Sequence, residues 1–316
     1  MNNRSKLMLL SVAALAAIGA YLFYGLNGSY EYALPRRGMK ALAMLLTGVA
    51  IAYSTVVFQT ITHNKILTPS IMGLDSLYML LQTVIIFFLG SSHYLIVNKN
   101  ANFFLSIAAM VVFALLLYQL MFKGSKQPIY FLLLIGIILG TFFQSISSFL
   151  QVLIDPNEFL SVQDKMFASF NNISSDLVWV AGGVIILVLI YGWRQMAELD
   201  VVSLGRETAI NLGVPYDKVV RSMLVLSSIL IAVSTALVGP ITFFGLIVAN
   251  LSYQLFKTYR HGILIAGAGI ISIIALVGGQ WLVERIFTFS TTLSVIVNFI
   301  GGLYFIYLLL KEAKSS

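Results

Sequence analysis

Cysteine is absent from the 316 residues, which excludes structural disulfides and thiolate metal sites. Charge is nearly as scarce, at 10% Asp, Glu, Lys and Arg, where a soluble domain carries roughly 25%. No polar stretch exceeds about 25 residues, so no soluble domain is left over beside the apolar runs. The phosphate-cradling pattern G-x-x-x-x-G-K-[ST] is missing too; any work driven by ATP and its Mg²⁺ then needs another chain to bind them. No His, Glu and Asp cluster has metal-ligand spacing, and the 11 methionines are scattered as packing residues are. Asp75 is the one acid well inside an apolar run, without the chain of ionisable partners that a proton relay needs. A capped carboxylate near the interface fits it better. His63, beside Asn64 and Lys65, reads as a solvated loop histidine.

What remains is 59% hydrophobic, with a mean hydropathy of +0.95. The apolar runs are about 20 residues long, the length of a membrane-crossing helix and twice that of a barrel strand. Ten runs stand out, at 7–26, 39–61, 71–90, 103–122, 129–153, 177–193, 219–238, 241–256, 263–283 and 293–310. The fold class expected is therefore an all-α integral membrane protein of about ten transmembrane helices, one domain over 1–316. The eighth run is short and begins at Gly239-Pro240, so it reads as broken or as not crossing fully. The net charge of +7 reports loop charges on one side of a membrane and not a nucleic-acid surface. Placing both termini in the cytoplasm puts Arg4, Lys6, Lys65, Lys123, Lys126, Arg194, Arg206, Lys218, Arg221, Lys257, Arg260, Lys311 and Lys314 inside. Only Arg36, Arg37, Lys40, Lys99, Lys165 and Arg285 are then outside, the split that the positive-inside rule selects.

The one long stretch with charges of both signs, about 194–221, falls on the cytoplasmic side in this arrangement. Arg206 to Leu212 has a helical composition, and Glu207 favours the positive end of its dipole. Gly213 fits a left-handed helix stop, and Pro215 forbids continuation. Ala209 reads as a small contact that lets a partner approach. Such a segment either couples a soluble partner to the membrane or merely connects two spans.

Within the apolar runs, Thr141, Gln144, Ser145, Ser148 and Gln151 form one stripe of the fifth span. Thr291, Ser294, Asn298 and Gly301 repeat the theme in the tenth. Polar stripes avoid lipid, so they line a wet pathway or bond a neighbouring helix. Gly136 and Gly140 make a small-xxx-small packing pair. Outside, Arg36, Arg37 and Arg285 run against the charge trend; they either snorkel at helix ends or dock an acidic partner.

Three stretches resemble the FecCD-type permeases, subunits of ABC importers for iron chelates and cobalamin. The first is Leu34-Pro35-Arg36, followed by Gln59, Asn64, Pro69 and Gly73. The second is Leu204-Gly205, Ala209 and Leu212-Gly213-Val214, and the third and most specific runs from Gly239-Pro240-Ile241-Thr242 to Val248. The resemblance implies a type II importer permease fold in the bacterial cytoplasmic membrane. It also implies a second permease, identical or homologous, two cytoplasmic ATPases, and an external siderophore-binding protein. On that likeness Leu204, Gly205, Arg206, Glu207, Ala209, Leu212 and Gly213 couple to the ATPases. Departures occur at Ala33, Arg37, Lys65-Ile66, Leu77-Tyr78 and the outer stretch Met166 to Asn172. They resemble a branch that carries catecholate siderophores such as petrobactin. The chain is thus expected to import an iron–siderophore complex and to be no enzyme, with cobalamin or heme as the alternative cargo. An ion-coupled secondary transporter needs intramembrane carboxylates that Asp75 alone does not supply. An intramembrane enzyme needs a buried catalytic pair, and none is visible.

Overall fold

The structure is a computed structural model that describes residues 2–25, 30–122, 129–171, 173–288 and 291–313. Lys123, Lys126 and Lys314 of the charge count, and Asn172 of the outer stretch, lie outside these residues.

Each of the ten apolar runs becomes a helix. Among the described residues eight are long and apolar enough to cross a membrane: α1 (Asn3–Phe23), α2 (Tyr30–Ile61), α5 (Lys99–Phe122), α6 (Ile129–Leu153), α8 (Ser175–Trp193), α11 (Tyr216–Val238), α13 (His261–Arg285) and α14 (Leu293–Ala313). The other two, α3 (Leu74–Leu89) and α12 (Phe244–Phe256), are shorter. At 13 residues α12 rises about 20 Å, less than the roughly 30 Å of bilayer hydrocarbon. The expected third span, 71–90, is interrupted. Pro69–Met72 forms a 3-10 turn, and Gly73, at φ +85°, breaks the backbone before α3 starts. Short helices fill the connections: α4 (Tyr94–Val97), α7 (Pro156–Met166), α9 (Met196–Val202) and α10 (Arg206–Asn211).

Two helices are central. Over their most apolar stretches 78% of α2 and 72% of α11 are buried, against 11% of α1 and 17% of α14. The sequence of α2 explains its position, because Ala41, Ala43, Gly48, Ala50 and Ala52 let α13 and α11 approach closely. Two of its buried hydroxyls are tied back to its own carbonyls, Thr47 to Ala43 at 2.7 Å and Ser54 to Ala50 at 2.8 Å, while the Thr55 hydroxyl has no partner. No donor is stranded by the burial of Thr47 or Ser54. The helix starts nine residues before the expected 39, with Pro35 inside its first turns and not at its opening.

Gly136 and Gly140 are the packing pair expected of them. A Cβ on Gly140 would lie 3.0 Å from the Cα of Gly73, and one on Gly136 would lie 2.9 Å from the Cα of Met72. The interrupted 69–73 segment lies against α6 through these two glycines.

Candidate functional site

The 194–221 segment folds as two short helices and the start of a third. Gly205, at φ +99°, separates α9 from α10. Glu207 sits in the first turn of α10, and Gly213 is left-handed at φ +84°. The turn closes through Gly213 N–H to Ile210 O at 2.9 Å and Val214 N–H to Ala209 O at 3.0 Å. Pro215 then caps α11.

The face that α10 presents differs from the one expected. Ala209 is 0% exposed and packs inward, so it is no contact for a partner. On a six-residue helix that rests on α9 and α11, the small residue is what lets the helix lie close to its own chain. Leu204, Ile210 and Leu212 point outward instead, at 59%, 45% and 62% exposure, with Glu207 and Thr208 beside them. Arg206 folds back, 3.4 Å from Asp217 Oδ2 and over the Tyr216 ring. It therefore braces α10 to the start of α11.

The fifth-span stripe is on α6. Thr141, Gln144, Ser145 and Ser148 line one cavity of about 490 Å³ together with Ser70, Gly73 and Ser76. Thr141 and Ser145 donate to the carbonyls four residues back, at 2.9 and 2.8 Å. Their oxygens thus face the cavity as acceptors, with the protons already placed. Gln151 leaves the stripe and donates to Thr83 Oγ1 of α3 at 3.4 Å.

The tenth-span stripe does not join this cavity. Ser294 is fully buried and lies 3.1 Å from Thr292 Oγ1. Asn298 is half-buried, and a Cβ on Gly301 would strike the Phe243 side chain at 2.4 Å. At Gly301 that stripe packs on the start of α12, and Ser294 and Asn298 stand apart from the cavity beneath α6.

The three arginines expected outside divide. Arg37 donates to the carbonyls of Tyr21, Leu22 and Tyr24 at 3.2, 3.3 and 3.0 Å. Arg285 donates to Tyr24 O and Gly25 O at 3.0 and 2.8 Å and lies over the Tyr24 ring. Both hold the C-terminal end of α1, where unsatisfied carbonyls carry the negative end of the dipole. Nearby, Glu284 accepts from Tyr21, Lys40 and Gln280. Arg36 is exposed.

The partners of other polar residues are not legible from the sequence pattern. Asp75 is buried and capped by two hydroxyls, accepting from Thr235 Oγ1 at 3.2 Å and from Thr242 Oγ1 at 3.3 Å. It ties α3 to the Gly239-Pro240-Ile241-Thr242 turn. That turn is tight: Gly239 has φ +98°, and a Cβ there would lie 2.9 Å from the Cα of Ala168. A second cavity, of about 580 Å³, lies beside it, with Lys99, Lys165 and Asn102 in its wall. Burial, with the Lys99 charge beside it, pushes the Lys165 ammonium below its ordinary range, and Asp164 opposes this. His63 is exposed, as a loop histidine should be. His261, which no pattern singled out, is buried and bonded on both ring edges, to Asp200 and Thr60.

Comparison with known proteins matches this arrangement. The chain is 62% identical over 315 residues, all of both chains, to the petrobactin import system permease protein YclO of Bacillus subtilis (strain 168). It is 34% identical over 317 residues to the petrobactin import system permease protein FatC of Bacillus anthracis, covering 98% of this chain and 90% of that one. Its fold superposes on a solved metal-chelate type ABC transporter in an inward-facing conformation. That match has a TM-score of 0.83 at 23% identity and covers 98% of this chain and 100% of the other. The model of the FecCD transport family matches residues 5–311, and the chain belongs to that family.

Proposed function

We propose that this chain is one permease subunit of an ABC importer that carries iron–petrobactin into the cell. The observation that carries the reading is 62% identity along the whole length of a permease described as part of a petrobactin import system. The geometry supports it in two places. An apolar face made by Leu204, Ile210 and Leu212 stands outside the apolar spans, where water makes it costly to leave uncovered. A groove in a partner ATPase fits that face, and its ATP and Mg²⁺ supply the energy this chain has no motif to bind. The cavity under the α6 stripe, where hydroxyl and amide groups alternate with Ile71, Ile137 and glycine and no charge is present, is the wall along which a polar chelate passes without being trapped. A second permease supplies the opposite wall. Arg36 receives an acidic group of an external binding protein, while Arg37 and Arg285 serve α1.

The test is growth on petrobactin as sole iron source in a bacterium whose own petrobactin permease gene is deleted. Expression of this chain is expected to restore growth. Restoration on a hydroxamate siderophore but not on petrobactin overturns the cargo; restoration on neither overturns the importer.

A further inference from the structure

His261 is the first residue of α13, and its ring is buried. Its Nδ1 lies 2.5 Å from Asp200 Oδ1, and its backbone N–H donates to the same oxygen at 2.8 Å. Asp200 is on α9, four residues before Leu204. The N-cap of α13, Arg260, makes no side-chain capping bond. A carboxylate from a different element therefore satisfies one of the helix's orphan donors and places negative charge at its positive end. On the opposite edge of the ring, Nε2 lies 2.8 Å from Thr60 Oγ1 in the last turn of α2. Thr60 also lies 2.9 Å from Val56 O, and it hydrogen-bonds Tyr253 of α12.

One planar ring thus bridges α9 to α2, and its own backbone is the start of α13. Apolar contacts alone resist separation but slide sideways at little cost. Directed bonds on two opposite ring edges fix both distance and direction, since they weaken steeply when bent. Two further bonds hold the same end: Gln59 Nε2 and Asn250 Nδ2 both donate to Lys65 O, at 2.6 and 2.9 Å. The ends of α2 and α12 therefore move together with the ring.

We propose that Asp200, His261 and Thr60 are positioning residues for transport, forming the joint through which displacement of α9 and α10 reaches α2, α12 and α13. This rests on the reading of α10 as the ATPase contact. Because the chain has no cysteine, spin labels can be placed singly at Thr208→Cys on α10 and Tyr259→Cys before α13. In the assembled transporter the distance between them stays constant when ATP is added. In His261→Ala it shifts or broadens on ATP addition. Uptake of iron-loaded petrobactin falls about tenfold in His261→Ala and in Asp200→Ala, within the span of coupling effects. The double variant is no worse than either single one, and Asp200→Asn, which keeps the accepting oxygen, retains most uptake.

Losses that multiply in the double variant, or an ATP-independent label distance in His261→Ala, overturn the joint. Absence of iron–petrobactin uptake by the unaltered transporter defeats the functional reading instead, and the label distances still decide the joint.

Discussion

Gly213 holds a backbone angle, φ +84°, at which a Cβ costs roughly 1 to 2 kcal/mol. No heavy atom lies within 4 Å of where its Cβ would stand, so the cost of substitution there is conformational and not steric. Gly213→Val should misdirect the end of α10 while leaving the membrane core intact. The expected result is a chain inserted at the unaltered level, with uptake reduced severalfold or more and ATP hydrolysis that no longer responds to loaded binding protein. Normal coupling in this variant contradicts the assignment. Gly213 was legible because the stop signal is local: a helical run, a glycine, then Pro215. Ala209 was not, because a small residue reads the same whether it admits a partner or its own core. His261 was hidden for another reason. Its carboxylate partner is 61 residues away, and a histidine opening an apolar run looks like a boundary. Arg37 and Arg285 looked like docking cations because the carbonyls they cap belong to α1.

At the scale of elements, apolar length located the ten apolar helices among the described residues, and the α6 boundaries, Ile129–Leu153, coincide with the expected run. Length could not show which runs cross. Pro69 and Gly73 take the start from α3, and Gly239-Pro240 takes it from α12, by backbone geometry that hydropathy does not register. Periodicity found both polar stripes but not their environment. The α6 stripe opens on a cavity, and the α14 stripe meets the Phe243 side chain at Gly301. Replacing Ser145 and Ser148 by Leu fills that cavity with side chains that seek lipid or each other. Iron–petrobactin uptake should fall while insertion and co-purification of the ATPases stay unchanged; loss of assembly with normal uptake in the remaining complexes marks the stripe as helix glue. The α10 face predicts the reverse pattern. Leu212 is 62% exposed in the single chain, and burying a leucine contributes about 1.5 to 3 kcal/mol. Leu212→Glu should therefore weaken ATPase co-purification by about tenfold or more, with external docking unaffected. Full retention of the ATPases removes α10 from the interface.

Across the whole molecule, α2 and α11 form a buried axis, and the joint at His261 and the α10 segment both adjoin it. Its α2 end meets His261, its α11 end meets Asp75 through Thr235, and α10 leads directly into α11. Such a body moves as a lever only if something pushes at the α9–α10 end. The proposed orientation, with that end in the cytoplasm, makes the push sided. The decisive measurement is accumulation of iron–petrobactin in proteoliposomes that hold this chain with its partner permease, ATPases and binding protein. ATP is supplied either on the α10 face or on the opposite face, with and without ionophores that collapse ion gradients. Accumulation that requires ATP on the α10 face and is indifferent to ionophores is the predicted result. Accumulation that proceeds without ATP and stops when the ion gradients collapse contradicts the account.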